Sequence, residues 1–208
     1  MGLEQRKKIT YLTIFEGKFA IRVEANTPGA VSRTNKLGKV VHEIFFDQFS
    51  GLLVGISTKE SADYGKSWVF EFRDGNETFQ LQTSYSSSTA SRILKTLPNV
   101  QLSHPMTLVS SMKMVDGKNK TSLFILQHGN PIKQAYTREV PNGLPEMESL
   151  IVKGNQVWDD TKQLAFLAAM IEKDIIPNLP KMEPVAAASE MYDLLPEEEA
   201  AEPEDKPF

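Results

Sequence analysis

The stretch Ser67-Trp68-Val69-Phe70-Glu71-Phe72-Arg73-Asp74-Gly75-Asn76-Glu77-Thr78-Phe79-Gln80-Leu81-Gln82-Thr83 decides the fold class. Trp68, Phe70 and Phe72 fall at every second position, the period of a strand whose side chains alternate between two faces. Asp74-Gly75-Asn76 then breaks the alternation with residues that tolerate positive φ, so Ser67–Arg73 and Thr78–Thr83 read as the arms of a β-hairpin. The same grammar recurs outward along the chain. Thr10–Phe15 and Phe19–Glu24 flank the break Glu16-Gly17-Lys18, and Phe19, Ile21 and Val23 alternate with Ala20, Arg22 and Glu24. Val40–Phe46 and Leu52–Ile56 form a further apolar pair joined through Asp47–Gly51. Met106–Val115 and Thr121–Gln127 enclose Asp116-Gly117-Lys118-Asn119-Lys120. Four hairpin-like pairs in about 130 residues predict a mainly β protein built as an antiparallel barrel or sandwich.

Two helices complete the reading. Ser88–Leu97 has Ser and Thr caps and stops before Pro98. Thr161–Ile176 starts at Asp159 or Asp160 and ends at Pro177. Its residues Leu164, Leu167, Ala168, Ile171 and Ile175 share one face.

The chain has 208 residues and a formal net charge of −4, but the charge is unevenly spread. Residues 181–208 hold nine Asp and Glu against two Lys, whereas residues 1–140 hold 18 Lys and Arg against 12 acids. The expected organisation is a mildly basic body over 1–180 followed by a flexible acidic tail over 181–208. An apolar island, Met191-Tyr192-Asp193-Leu194-Leu195, interrupts that tail. With no Cys there is no disulfide framework, thiol nucleophile or thiolate-bound zinc. No apolar run reaches the ~18 residues of a membrane helix. These features predict a cytoplasmic protein with no membrane partner.

Sites of catalysis are hard to find. His42, His104 and His128 are far apart and lack a second ligand type at metal-binding spacing. Asp159-Asp160 reads as a helix cap, because free backbone N–H groups attract carboxylates there. There is no Walker loop, nucleophile elbow or dinucleotide fingerprint. The expectation is a protein without catalytic residues, metal or cofactor.

Binding features are easier to see. Non-specific binding of single strands needs cations for phosphates and aromatic faces for bases. Phe70 and Phe72 are expected in the core. Trp68 lies near its strand end beside Tyr64 and Lys66, and Tyr85 adjoins Ser86-Ser87-Ser88, so both are expected as exposed platforms. Lys66 and Arg73 flank the strand. Residues 26–39 are expected as a long mobile loop, free of acid, that presents Arg33, Lys36 and Lys39 to a phosphodiester backbone. Lys118 and Lys120 sit at a hairpin tip, and Arg22 points away from the apolar face of its strand.

The chain ends Glu202-Pro203-Glu204-Asp205-Lys206-Pro207-Phe208. An acidic approach to a terminal Phe can seat the ring in an apolar pocket and the carboxylate on a basic residue. This end resembles the acidic tip of bacterial and phage single-stranded DNA-binding proteins, although Lys206 stands where the bacterial tip has an apolar residue. The resemblance covers Glu202 to Phe208 and the general layout, and the longer body is closest to a phage-type protein. It implies an oligonucleotide-binding (OB) barrel that coats single-stranded DNA during replication, recombination or repair in the cytoplasm of a phage host. It also implies that Glu202, Glu204, Asp205, Pro207 and Phe208 recruit a polymerase, helicase, primase or recombinase, and that the tail competes with DNA for the basic groove. Self-association stays open. The alternatives are a non-enzymatic interaction or virion-assembly factor, which leaves the basic loop without a role, and an enzyme with an unrecognised site.

Overall fold

The computed structural model describes residues 9–35, 38–62, 65–115, 117–152 and 155–181. The first hairpin forms where expected: β1 (Ile9–Phe15) pairs with β2 (Lys18–Val23), Phe15 opposite Lys18. Glu16 and Gly17 both take positive φ, +48° and +76°, the backbone twist that a two-residue hairpin demands. Gly17 also permits a close crossing, since a Cβ there would lie 2.5 Å from the Met112 backbone nitrogen.

The central hairpin joins β6 (Gly65–Asp74) to β7 (Glu77–Ser84) through Gly75-Asn76, with Gly75 at φ +56°. The third joins β8 (Met106–Val115) to β9 (Lys118–Gln127), Val115 opposite Lys118. Their inward positions are the even-numbered residues of β6 and β8, and Phe70, Phe72 and Leu108 are fully buried.

Val40–Phe46 and Leu52–Ile56 do not pair with each other. The first is β4, which pairs with β2 and with β3 (Val31–Thr34), a short strand inside the segment expected as a mobile loop. The second lies within β5 (Gln48–Ser61), whose first four residues pair with β8 and whose remainder pairs with β6. Only Asp47 separates β4 from β5. Linear sequence neighbours thus turn their edges to different partners, which hydrophobic alternation alone does not reveal.

The sheet order is β10-β9-β8-β5-β6-β7-β1-β2-β4-β3, with β10 (Asn130–Pro131) a short edge. The two ends of the path β5-β6-β7-β1-β2-β4 are joined in the chain through Asp47, an arrangement consistent with a barrel-like curl of the sheet. All junctions on this path are antiparallel except β1 with β7, which is parallel, so the barrel is mixed and not wholly antiparallel. Five strands interrupted by one helix, β5-β6-β7-helix-β8-β9, give it an OB-like organisation.

The helices close the barrel's open side. α1 (Ser88–Thr96) starts at Ser87, whose Oγ accepts from the Ala90 N–H, and buries Ala90, Ile93 and Leu94. A 3₁₀ turn, Leu97–Asn99, takes Pro98. Buried Gln127 ties the following loop to β9: its Oε1 accepts from Gln101 N–H and its Nε2 donates to the Gln101 carbonyl, both at 2.9 Å. α2 (Thr161–Met170) widens into a π-helical turn, Ile171–Ile175, and a 3₁₀ turn holding Pro177. Leu164, Leu167, Ile171 and Ile175 are buried as the spacing predicts. Asp159, not Asp160, supplies the capping carboxylate, accepting from the Thr161 N–H at 2.9 Å and from its hydroxyl at 2.5 Å. A separate two-stranded ladder, β11 (Glu148–Val152) with β12 (Asn155–Asp159), precedes α2.

Candidate nucleic-acid interface

The aromatic residues of β6 form a ladder from the core to the surface. Trp68 lies 6.4 Å from Phe70, and Tyr85 stacks on Trp68 at 5.2 Å with planes 7° apart. Lys66 Nζ sits 4.3 Å above the Tyr85 ring centroid. Trp68 is only 3 % exposed, so it is not the surface platform expected of it. The reason is the barrel's pleat: Trp68 shares the inward parity of Phe70 and Phe72, and Tyr85 covers its last open side. Tyr85 is half-buried, with the exposed Lys66 ammonium lying over its ring. A base could displace that ammonium and stack in its place.

The β8–β9 hairpin carries the second cluster. Lys113 stands directly opposite Lys120, and both are exposed. Like charges facing each other across a ladder destabilise it. Neither makes an ion pair among the described residues. Four residues along the same face of β9, about 13 Å away, Phe124 is 43 % exposed. The Arg92 guanidinium from α1 lies 5.2 Å from its centroid. Arg92 and Lys133, together with the carboxylate-bearing Glu139, then line a groove of about 710 Å³. A strand laid along this face would meet two ammoniums, an aromatic ring and two further cations in turn.

The sequence held this signal without the hairpin register that makes it visible. Residues 78–138 contain seven Lys and Arg and one acid, Asp116. Lys113, Phe124 and Arg92 do not stand out in the sequence, because an aromatic in a hydrophobic strand reads as core until its face is known.

The basic residues expected to act together are divided. Arg33 is not on a free loop: it lies in β3, its Nε donating to Glu43 Oε2 at 2.5 Å and its Nη2 to Oε1 at 2.9 Å. Its guanidinium also covers the Phe15 ring at 4.1 Å. Glu43 is 1 % exposed, and Arg22 approaches it at 3.9 Å. Both arginines neutralise that buried carboxylate, a structural duty that leaves Arg33 unavailable to phosphate. Lys39 is exposed where β3 turns into β4, far along the sheet order from β8 and β9. Arg73 is half-buried opposite Leu52 and Thr78, with its Nε enclosed, so it does not extend into a groove. Lys36, Tyr64, the Lys118 side chain, the island 191–195 and the tip residues Glu202, Glu204, Asp205, Pro207 and Phe208 lie outside the described residues.

A further groove of about 730 Å³ separates α1 from α2, lined by Tyr136, Trp158, Leu164, Lys95 and Arg138 among others. Burial lowers the Lys95 pKa from its ordinary value, opposed by the nearby Asp160 carboxylate. Burial raises that of Tyr136, helped by Asp174. Among the described residues no three His, Asp or Glu side chains cluster as metal ligands, and no helix is long and apolar enough to cross a membrane. No protein-family model, curated protein or solved structure matches the chain.

Proposed function

We propose that this protein binds single-stranded DNA without sequence preference along the surface of β7, α1, β8 and β9. It coats and protects the strand during replication or recombination. The observation that carries the reading is the opposed Lys113–Lys120 pair, in line with exposed Phe124 beneath Arg92. Two cations facing each other across a ladder cost the free protein stability, a cost that a polyanion relieves. Phe124 and Tyr85 supply the π-faces that bases stack on, each worth ~1–3 kcal/mol. The role is binding rather than catalysis, in the cytoplasm of a phage host. The acidic end, through Glu202, Glu204, Asp205, Pro207 and Phe208, recruits a replication or recombination protein and competes with DNA for the cationic face.

Fluorescence anisotropy of labelled dT oligonucleotides, with the full chain and a truncation ending at Pro196, tests this across a salt series. The expected result is tight, salt-sensitive binding that strengthens on truncation. Absence of binding by both forms at low salt would refute the nucleic-acid reading. Unchanged affinity on truncation would remove the tail's competitive role alone.

A further inference from the structure

The β11–β12 ladder is the one part of the described structure that pairs only with itself. A two-stranded sheet is marginal alone in water, and this one carries its apolar side chains outward. Ile151 is 81 % exposed and Trp158 59 %, with Leu150 and Val157 also exposed. The outward N–H and C=O groups of β11 have no backbone partner among the described residues. Nor does the strand carry the devices that protect an edge: Glu148–Val152 has no Pro, no Lys and no bulge.

We propose that β11 pairs antiparallel with β11 of a second copy of this chain, about a two-fold axis at Leu150, to give one four-stranded sheet. Strand parity makes this edge self-complementary. Leu150 and Val157 are cross-strand partners, so the junction sets Val157, Leu150 and their two symmetry mates in one continuous apolar row. On the other face Ile151 falls opposite the second copy's Ser149, which is itself paired with Trp158. The charges agree as well. Glu148 is the strand's only charged residue and is already held by Lys162 of α2, and the register sets it opposite Val152 rather than its own mate. An unrelated partner strand has no such built-in match, whereas an isologous contact satisfies both copies at once. This interface is separate from the cationic face and does not depend on the nucleic-acid reading.

The absence of Cys makes the register directly testable in the full chain. Paired Cα atoms at the axis lie ~4.5–5.5 Å apart, within disulfide reach. Two Ser149 residues would be offset by two positions along the strands, about 8 Å apart and outside that reach. Under copper-phenanthroline oxidation, Leu150→Cys is expected to give a covalent dimer. Ser149→Cys alone should not, whereas a mixture of Ser149→Cys with Ile151→Cys should cross-link. Sedimentation equilibrium of the unaltered chain should show a dimer, with Ile151→Lys raising its dissociation constant at least about tenfold. A monomer at every concentration to ~100 μM, a dimer indifferent to Ile151→Lys, or equal cross-linking by the Ser149 and Leu150 variants would each overturn the proposal. Should Ile151→Lys fail to fold, the cysteine series still decides.

Discussion

Replacing both Lys113 and Lys120 by Ala should move two properties in opposite directions. The residues are cross-strand partners, and among the described residues neither is in an ion pair. With the ammoniums splayed to roughly 8 Å in water, their repulsion is about 0.5 kcal/mol. Removing it should raise the melting temperature of the free protein by about 1–2 °C. On DNA the same change removes two phosphate contacts. For single strands the slope of log K against log salt falls by ~0.7 per contact, so the variant's slope should be shallower by ~1.4. Between 50 and 200 mM salt the parent chain would then lose about sevenfold more affinity than the variant. Anisotropy titrations at four or five salt concentrations, beside a thermal melt by circular dichroism, measure both. Equal slopes in parent and variant would refute the assignment of this face. A lower melting temperature would refute the claim that the pair is strained in the free protein.

Other residues separate along similar lines. Phe124→Ala should leave stability within ~0.5 kcal/mol because the ring is exposed, yet weaken dT binding about 5- to 150-fold without altering the salt slope. Trp68→Ala acts in the core, so equilibrium denaturation should reveal a loss of ~3–5 kcal/mol; a stable variant that merely bound DNA less well would contradict its burial. Hydrogen bonds from the Thr161 hydroxyl and N–H hold the Asp159 carboxyl below its ordinary value of 3.8. Since the folded value is the lower one, its stabilisation is complete above the unfolded value and disappears as pH falls through the folded one. Asp159→Asn should therefore flatten the acid limb of a stability profile recorded below about pH 4, and a limb as steep as the parent's would dismiss the cap.

Local chemistry was legible in the sequence and long-range pairing was not. The turns at Glu16-Gly17 and Gly75-Asn76 carry their own conformational signals, so β1–β2 and β6–β7 could be read directly. α1 and α2 were legible from their caps and Pro residues. By contrast, β3 has four residues, Val31-Ser32-Arg33-Thr34, and too little alternation to announce itself; its partner β4 defines it. Arg33 looked free because Glu43, which binds it, is ten positions away and reached only across that ladder. Trp68 and Phe124 mark the same difficulty from two sides. Each sits in an apolar strand, and only the pleat within the folded sheet decides that the first is enclosed and the second bare.

The parallel seam between β1 and β7 bears on how the chain is made. Ile9 meets Thr78, and Leu12 meets Leu81, about 70 positions apart. A ribosome adding ~5–20 residues per second emits β1 several seconds before the strand that will cover its edge exists. During that interval the outer edge of β1 stays uncovered, although β2 can already take β4 as its other neighbour, since β4 precedes β7 in the chain. The β1–β2 hairpin is thus made well before its outer edge is covered, and that edge waits on β7.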